Sequence, residues 1–131
     1  MKSAAAVLCL GCLISVGFQI GLALGFPWGE WAMGGRFPAR WPLHMRFVAM
    51  AQALLLAGIG VLVFSSVPLA AGLSSELQHL GRRSILWIFI FMIVAAVLNT
   101  ITPSRKERWL WGPITWLMAL GAGTMLFFEK A

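Results

Sequence analysis

Apolar residues along the chain fall into four long runs. Between them come shorter stretches rich in Gly, Pro, Trp and charge. The runs cover residues 4–24, 47–66, 85–101 and 109–128, and none contains Asp, Glu, Lys, Arg or His. A helix rising about 1.5 Å per residue needs about 20 residues to cross a hydrocarbon core of about 30 Å. The pattern therefore predicts an all-α integral membrane four-helix bundle in one transmembrane domain. A basic Lys2 precedes the first run, as in a cleaved leader. That run exceeds the apolar core of about 7–15 residues typical of a leader and has no clean small-residue cleavage site, so it is read as a retained span.

The intervening stretches are patterned too. The second, "LSSELQHLGRR", sets Leu73, Leu77 and Leu80 on one helical face. Ser75 and Gln78 have capping-box spacing, and Gly81 can stop a helix. A short amphipathic helix lying at the interface is expected there, anchoring the chain rather than docking a partner. Small residues recur every fourth position at Gly17, Gly21 and Gly25, and at Ala49, Ala53 and Ala57. Ala119 and Gly123 repeat the spacing, with Gly121 nearby. Helices in lipid associate through close backbone contact, so these stripes predict internal packing, with a homodimer seam as the alternative. The third run is bulky and is expected to face lipid or act as a wedge.

Composition narrows the class. Of 131 residues, 60% are hydrophobic and 11% charged, against about 25% charged in soluble domains. The net charge of +6 gathers beside the apolar runs, which makes anionic lipid headgroups the expected partner. No helix-turn-helix or RNA-binding pattern is present, so nucleic acid is not expected. Loops 1 (about 25–46) and 3 (about 102–108) hold Arg36, Arg40, Arg46, Arg105, Lys106 and Arg108, whereas Lys2, Arg82, Arg83 and Lys130 lie on the opposite side. The larger set favours a cytoplasmic position for loops 1 and 3 in a bacterial inner membrane. Cys9 and Cys12 lie inside the first span and read as small apolar side chains. Neither a cofactor nor a metal is expected.

Candidate chemistry is concentrated at one end. Gln19, Gln52 and Asn99 are polar residues within spans, placed to act as interhelical hydrogen-bond partners or to line a small polar cavity below loop 1. Trp28, Trp31, Trp41, Trp109 and Trp111 lie near the same end, as in an interfacial aromatic belt. Loop 1, "GFPWGEWAMGGRFPARWP", carries one acid, Glu30. An ion pair with Arg36, Arg40 or a loop 3 base would tie the two loops together. Alternatively, Glu30 faces a ligand, with Arg36, Arg40, Arg105 and Arg108 as headgroup contacts and Gly29, Gly34 and Gly35 permitting tight turns. In loop 3, Pro103 should stop the third helix. Ser104 should cap the fourth, with Glu107 completing a capping box.

Two stretches carry a resemblance. A P-x-G-E-x-x-x-G-G stretch matches at Pro27, Gly29, Glu30, Gly34 and Gly35. An L-N-x-x-T-P-S-x-x-E-R stretch matches at Leu98, Asn99, Thr102, Pro103, Ser104, Glu107 and Arg108. Together they resemble a family of small bacterial four-span membrane proteins of uncharacterised function. The resemblance implies a four-span bacterial protein and brings no activity. Three function classes remain. The first is a non-enzymatic membrane protein binding lipid or a membrane partner, in a possible homodimer or larger complex. The second is a transporter or channel subunit acting as a homodimer. The third is a headgroup enzyme using Glu30, His44 or Glu107 as acid or base. No nucleophile triad or metal motif supports the third.

Overall fold

The computed structural model describes residues 2–128, so Lys130 lies outside it. Among the described residues the chain forms four α-helices: α1 (Lys2–Leu24), α2 (Leu43–Ser65), α3 (Ser75–Ile101) and α4 (Arg105–Phe128). All four are long and apolar enough to cross a membrane. Each helix packs on the next, and α4 returns to α1, closing a four-helix ring.

The helix ends follow from local chemistry. α1 stops at Gly25, whose φ of 90° is left-handed and disfavoured for any residue with a Cβ. The Gly25 N–H donates to the Leu22 carbonyl and the Phe26 N–H to the Gly21 carbonyl, the paired bonds of a Schellman cap. Arg46 Nε donates to the neighbouring Ala23 carbonyl at 2.7 Å, fixing the start of α2 against the end of α1. α3 begins one residue earlier than the expected capping box. Ser74, not Ser75, accepts the Leu77 N–H, while Gln78 Nε2 donates to the Ala70 and Leu73 carbonyls. α4 carries Pro113 in its interior and starts at Arg105, so the basic cluster lies on its first turn.

Two expectations change. No separate interfacial helix forms in the second loop; residues 75–83 are the opening turns of α3. Gly81 does not stop the helix because it is a contact point. A Cβ there would lie 2.5 Å from the Leu62 carbonyl oxygen and 2.3 Å from Ser65 Oγ. The single Ser65 hydroxyl proton is shared between the Leu62 and Leu77 carbonyls, at 2.9 and 3.1 Å, linking α2 to α3 at this crossing.

The small-residue stripes also divide. Ala49 and Ala53 are buried, but Ala57 is exposed. Gly17 faces open space, Gly21 receives the Trp28 ring, and Gly25 is a cap beneath Arg40. The close approaches of α1 run elsewhere: Gly11 meets Met118, and Cys12 meets Gly60 on α2. On α4, Gly121 receives Leu8 and Gly123 receives Phe89, so its small residues serve both neighbours.

The interior has two parts. In the half nearer the termini, Leu8, Cys12, Val63, Met92, Ala119 and Ala122 belong to a core drawn from all four helices. At the loop 1 end, Leu22, Ala32, Trp41, Met45 and Ala49 form a second cluster drawn only from α1, loop 1 and α2.

Gly81→Ala should lower stability by about 1–3 kcal/mol, because backbone atoms bound its site. Gly17→Ala, in open space on a helix, should be neutral or stabilising by up to about 1 kcal/mol. Thermal unfolding of both variants in detergent checks this pair.

Candidate functional site

Loop 1 is folded tightly on itself. The Trp28 ring turns back over Gly21, stacks on Phe18 at 5.8 Å and meets Phe26 edge-on. The Gly29 N–H donates to the Ala39 carbonyl at 2.9 Å. A Cβ on Gly29 would lie 1.9 Å from the Phe37 carbonyl oxygen, leaving room only for glycine. Two 3-10 turns follow, Gly29–Trp31 and Met33–Gly35. Met33, Gly34 and Gly35 all have positive φ, a run that directs the Gly34 N–H out of the loop.

That N–H meets Glu107. Glu107 Oε2 accepts from the Gly34 amide at 2.8 Å and from the Thr102 hydroxyl at 2.5 Å. Half of the expected capping box forms, with Ser104 Oγ accepting the Glu107 N–H at 3.2 Å. The return bond does not form, because the carboxylate reaches across to loop 1. The Ser104 N–H is directed to Thr102 Oγ1 instead. Hydrogen bonds to a charged acceptor contribute about 1.5–3 kcal/mol, so this junction outweighs an ordinary cap.

Glu30 pairs with a loop 3 base, as one sequence alternative required. The partner is Lys106, which also lies 5.5 Å above the Trp31 ring. Ser104 Oγ donates to the Glu30 carbonyl at 2.6 Å. The pair is about half exposed on both sides, where such bridges contribute about 0.2–1 kcal/mol. Glu30 thus reinforces the loop 1–loop 3 contact and Glu107 dominates it. Pro103 packs over Gly34, and Ser104 lies against Gly35.

The arginines separate into two groups. Arg108 donates to the Thr102 carbonyl at 2.7 Å, closing the end of α3. Arg40 lies across the Gly25 turn. Arg36 and Arg105 are exposed and form no ion pair among the described residues. Trp41 and Trp111 are buried, whereas Trp28 and Trp109 are exposed at this end.

Beneath loop 1 lies a cavity of about 950 Å³. Its wall includes Gln19 from α1, Gln52 from α2 and Asn99 from α3, so the three polar residues of the spans are brought together. None of their side chains hydrogen-bonds to another described residue, and Gln19 Oε1 is buried without a partner. Ala32, Gly34, Arg36, Pro103 and Glu107 form the roof. Ser15, Phe18 and Thr115, which the sequence does not mark, also line the cavity, as does Trp111, which the sequence places in the aromatic belt. Their spacing carried a signal: Ser15, Phe18 and Gln19 share a helical face, as do Trp111 and Thr115. Among the described residues, no group of three His, Cys, Asp or Glu is placed to hold a metal ion.

Glu107→Ala leaves the Gly34 amide and Thr102 hydroxyl without their acceptor. It should cost about 2–3 kcal/mol, while Glu30→Gln should cost at most about 1 kcal/mol. Denaturant titration in detergent checks the ordering.

Comparison with protein-family models, with curated proteins and with solved structures returns no match.

Proposed function

We propose that this chain is a small multi-pass protein of a bacterial inner membrane, with no catalytic role, that binds anionic lipid through its loop 1–loop 3 face. One observation carries the reading. Among the described residues, Arg36 and Arg105 stand exposed and without ion-pair partners, while Glu30, Glu107 and Arg108 are engaged in holding loops 1 and 3 together. Unpaired guanidinium groups at a membrane boundary attract headgroup phosphates, each contributing about 1 kcal/mol. The basic residues gathered at this end support a cytoplasmic orientation. The resemblance to small bacterial four-span proteins supports the membrane assignment, and its stretches fall in loop 1 and across the α3–α4 turn joined to it.

The packed half of the bundle weighs against transport through a single chain. Leu8, Val63, Met92, Ala119 and Ala122 are fully or almost fully buried below the cavity, and a pathway along the bundle axis would have to breach them. Glu107, an acid–base candidate, has Oε2 committed to two donors.

The double variant Arg36→Gln/Arg105→Gln should reduce phosphatidylglycerol retention by roughly tenfold or more in native mass spectrometry, with the fold intact. Retention equal to that of the unaltered protein would remove the face from the account. Reporter fusions at each terminus test the orientation, with both termini expected outside the cytoplasm.

A further inference from the structure

We infer that the cavity beneath loop 1 binds a single-chain amphiphile head-first, taking an uncharged hydroxyl- or amide-bearing head and leaving the alkyl chain in the bilayer. The inference deepens the lipid-binding reading above and rests on it for the setting in a membrane.

The shape of the cavity supports this mode. Its floor is closed by Met92 and Met118, both almost fully buried. Its α1–α4 side is closed by Phe18 and Trp111, whose rings meet edge-on at 4.8 Å. Loop 1 roofs it, held down by Glu107. The α2–α3 side is different. Leu55, Phe91 and Leu98 line the cavity and are also exposed, at 52%, 39% and 57%. The opening is therefore lateral, through an apolar gap that faces acyl chains when the helices span a bilayer. The volume lies at the upper end of the range of about 300–1,000 Å³ found for small-molecule sites.

Polarity decides which part of the ligand enters. At about 1.5 Å per residue, Gln19 lies about 8 Å and Gln52 about 14 Å in from the loop 1 ends of their helices. An alkyl chain in this space would leave Gln19 Oε1 and the Gln52 and Asn99 amides unpaired, which is costly away from water. A hydroxyl or amide N–H bonds to the Gln52 and Asn99 amides, which offer both donors and acceptors, and reaches the buried Gln19 Oε1 once that side chain rotates toward the cavity. Arg36 and Glu107 both line the roof, where their charges offset, and a phosphate passing below them would bring negative charge to neutral amides with no cation beside them.

The test uses the full chain in detergent and follows Trp111 fluorescence. One probe is a brominated monoacylglycerol. The other is the brominated methyl ester of the same fatty acid, which has no donor. The monoacylglycerol should quench saturably, and Trp111→Phe should remove that component; the methyl ester should quench only by bulk partition. Gln19→Leu should weaken the monoacylglycerol by roughly fivefold to tenfold while leaving the thermal midpoint unchanged or higher. Ala95→Phe, which fills the cavity from α3, should abolish saturable quenching in a folded protein. Equal quenching by both probes overturns the proposal. So does a lower midpoint with unchanged affinity in Gln19→Leu, which would make Gln19 a structural group satisfied by water. Arg36 belongs to both the face and the roof, so Arg105→Gln, which leaves the cavity lining unaltered, reads the face by phosphatidylglycerol retention while monoacylglycerol quenching reads the cavity, and either reading can fail alone.

Discussion

The Glu107 carboxylate accepts two hydrogen bonds, from the Gly34 amide and the Thr102 hydroxyl, and the organisation of one end of the bundle depends on them. It joins three elements that are distant in sequence or end at this point: loop 1, the last turn of α3 and the first turn of α4. At a membrane boundary a loop of this apolar composition has few alternatives for its backbone groups. Without an acceptor, the left-handed run Met33–Gly35 would present its amide to a poorly hydrated space. With it, loop 1 becomes a roof. The exposed Lys106–Glu30 bridge and the Ser104–Glu30 hydrogen bond add to the same contact from the outer surface.

The roof matters because the two halves of the bundle are built differently. Away from the loops, all four helices share one core in which Gly11, Gly81, Gly121 and Gly123 admit close neighbours. Near the loops, only α1, α2 and loop 1 share a cluster. α3 and α4 join them there through Glu107, the Phe18–Trp111 contact and the tie to Glu30. What lies between is the cavity. A membrane protein gains little by collapsing apolar surface against apolar surface, since lipid offers nearly the same environment. Such a gap can therefore persist where polar groups line it.

The four spans were legible in sequence because charge exclusion over about 20 residues is a strong signal. Gln19, Gln52 and Asn99 line one cavity, at depths that the sequence gives as a few turns or less from one end, without hydrogen-bonding to one another. Helix ends were read less well. Gly81 looked like a stop, and only the third dimension shows the α2 backbone against it. Ser104 and Glu107 matched a capping box, but a carboxylate chooses among donors by geometry, and Gly34 outcompetes the Ser104 amide. Glu30 is conspicuous in sequence for its isolation between two Trp. Its partner proved to be an exposed lysine, while the less conspicuous acid made the stronger junction. The stripe through Gly17, Gly21 and Gly25 misled for a similar reason: spacing marks a face but not what fills it, and here the occupants are open space, a Trp ring and a turn.

Amide hydrogen exchange at Gly34 tests the central claim most directly, because that single N–H reports the loop 1–Glu107 bond. In the folded protein in detergent, its exchange should be slowed to the level of amides inside the helices. Glu107→Ala should release it while the amides of the four-helix core stay protected. A Gly34 amide that exchanges at the rate of an open loop in the unaltered protein, or is indifferent to loss of the carboxylate, would contradict the account.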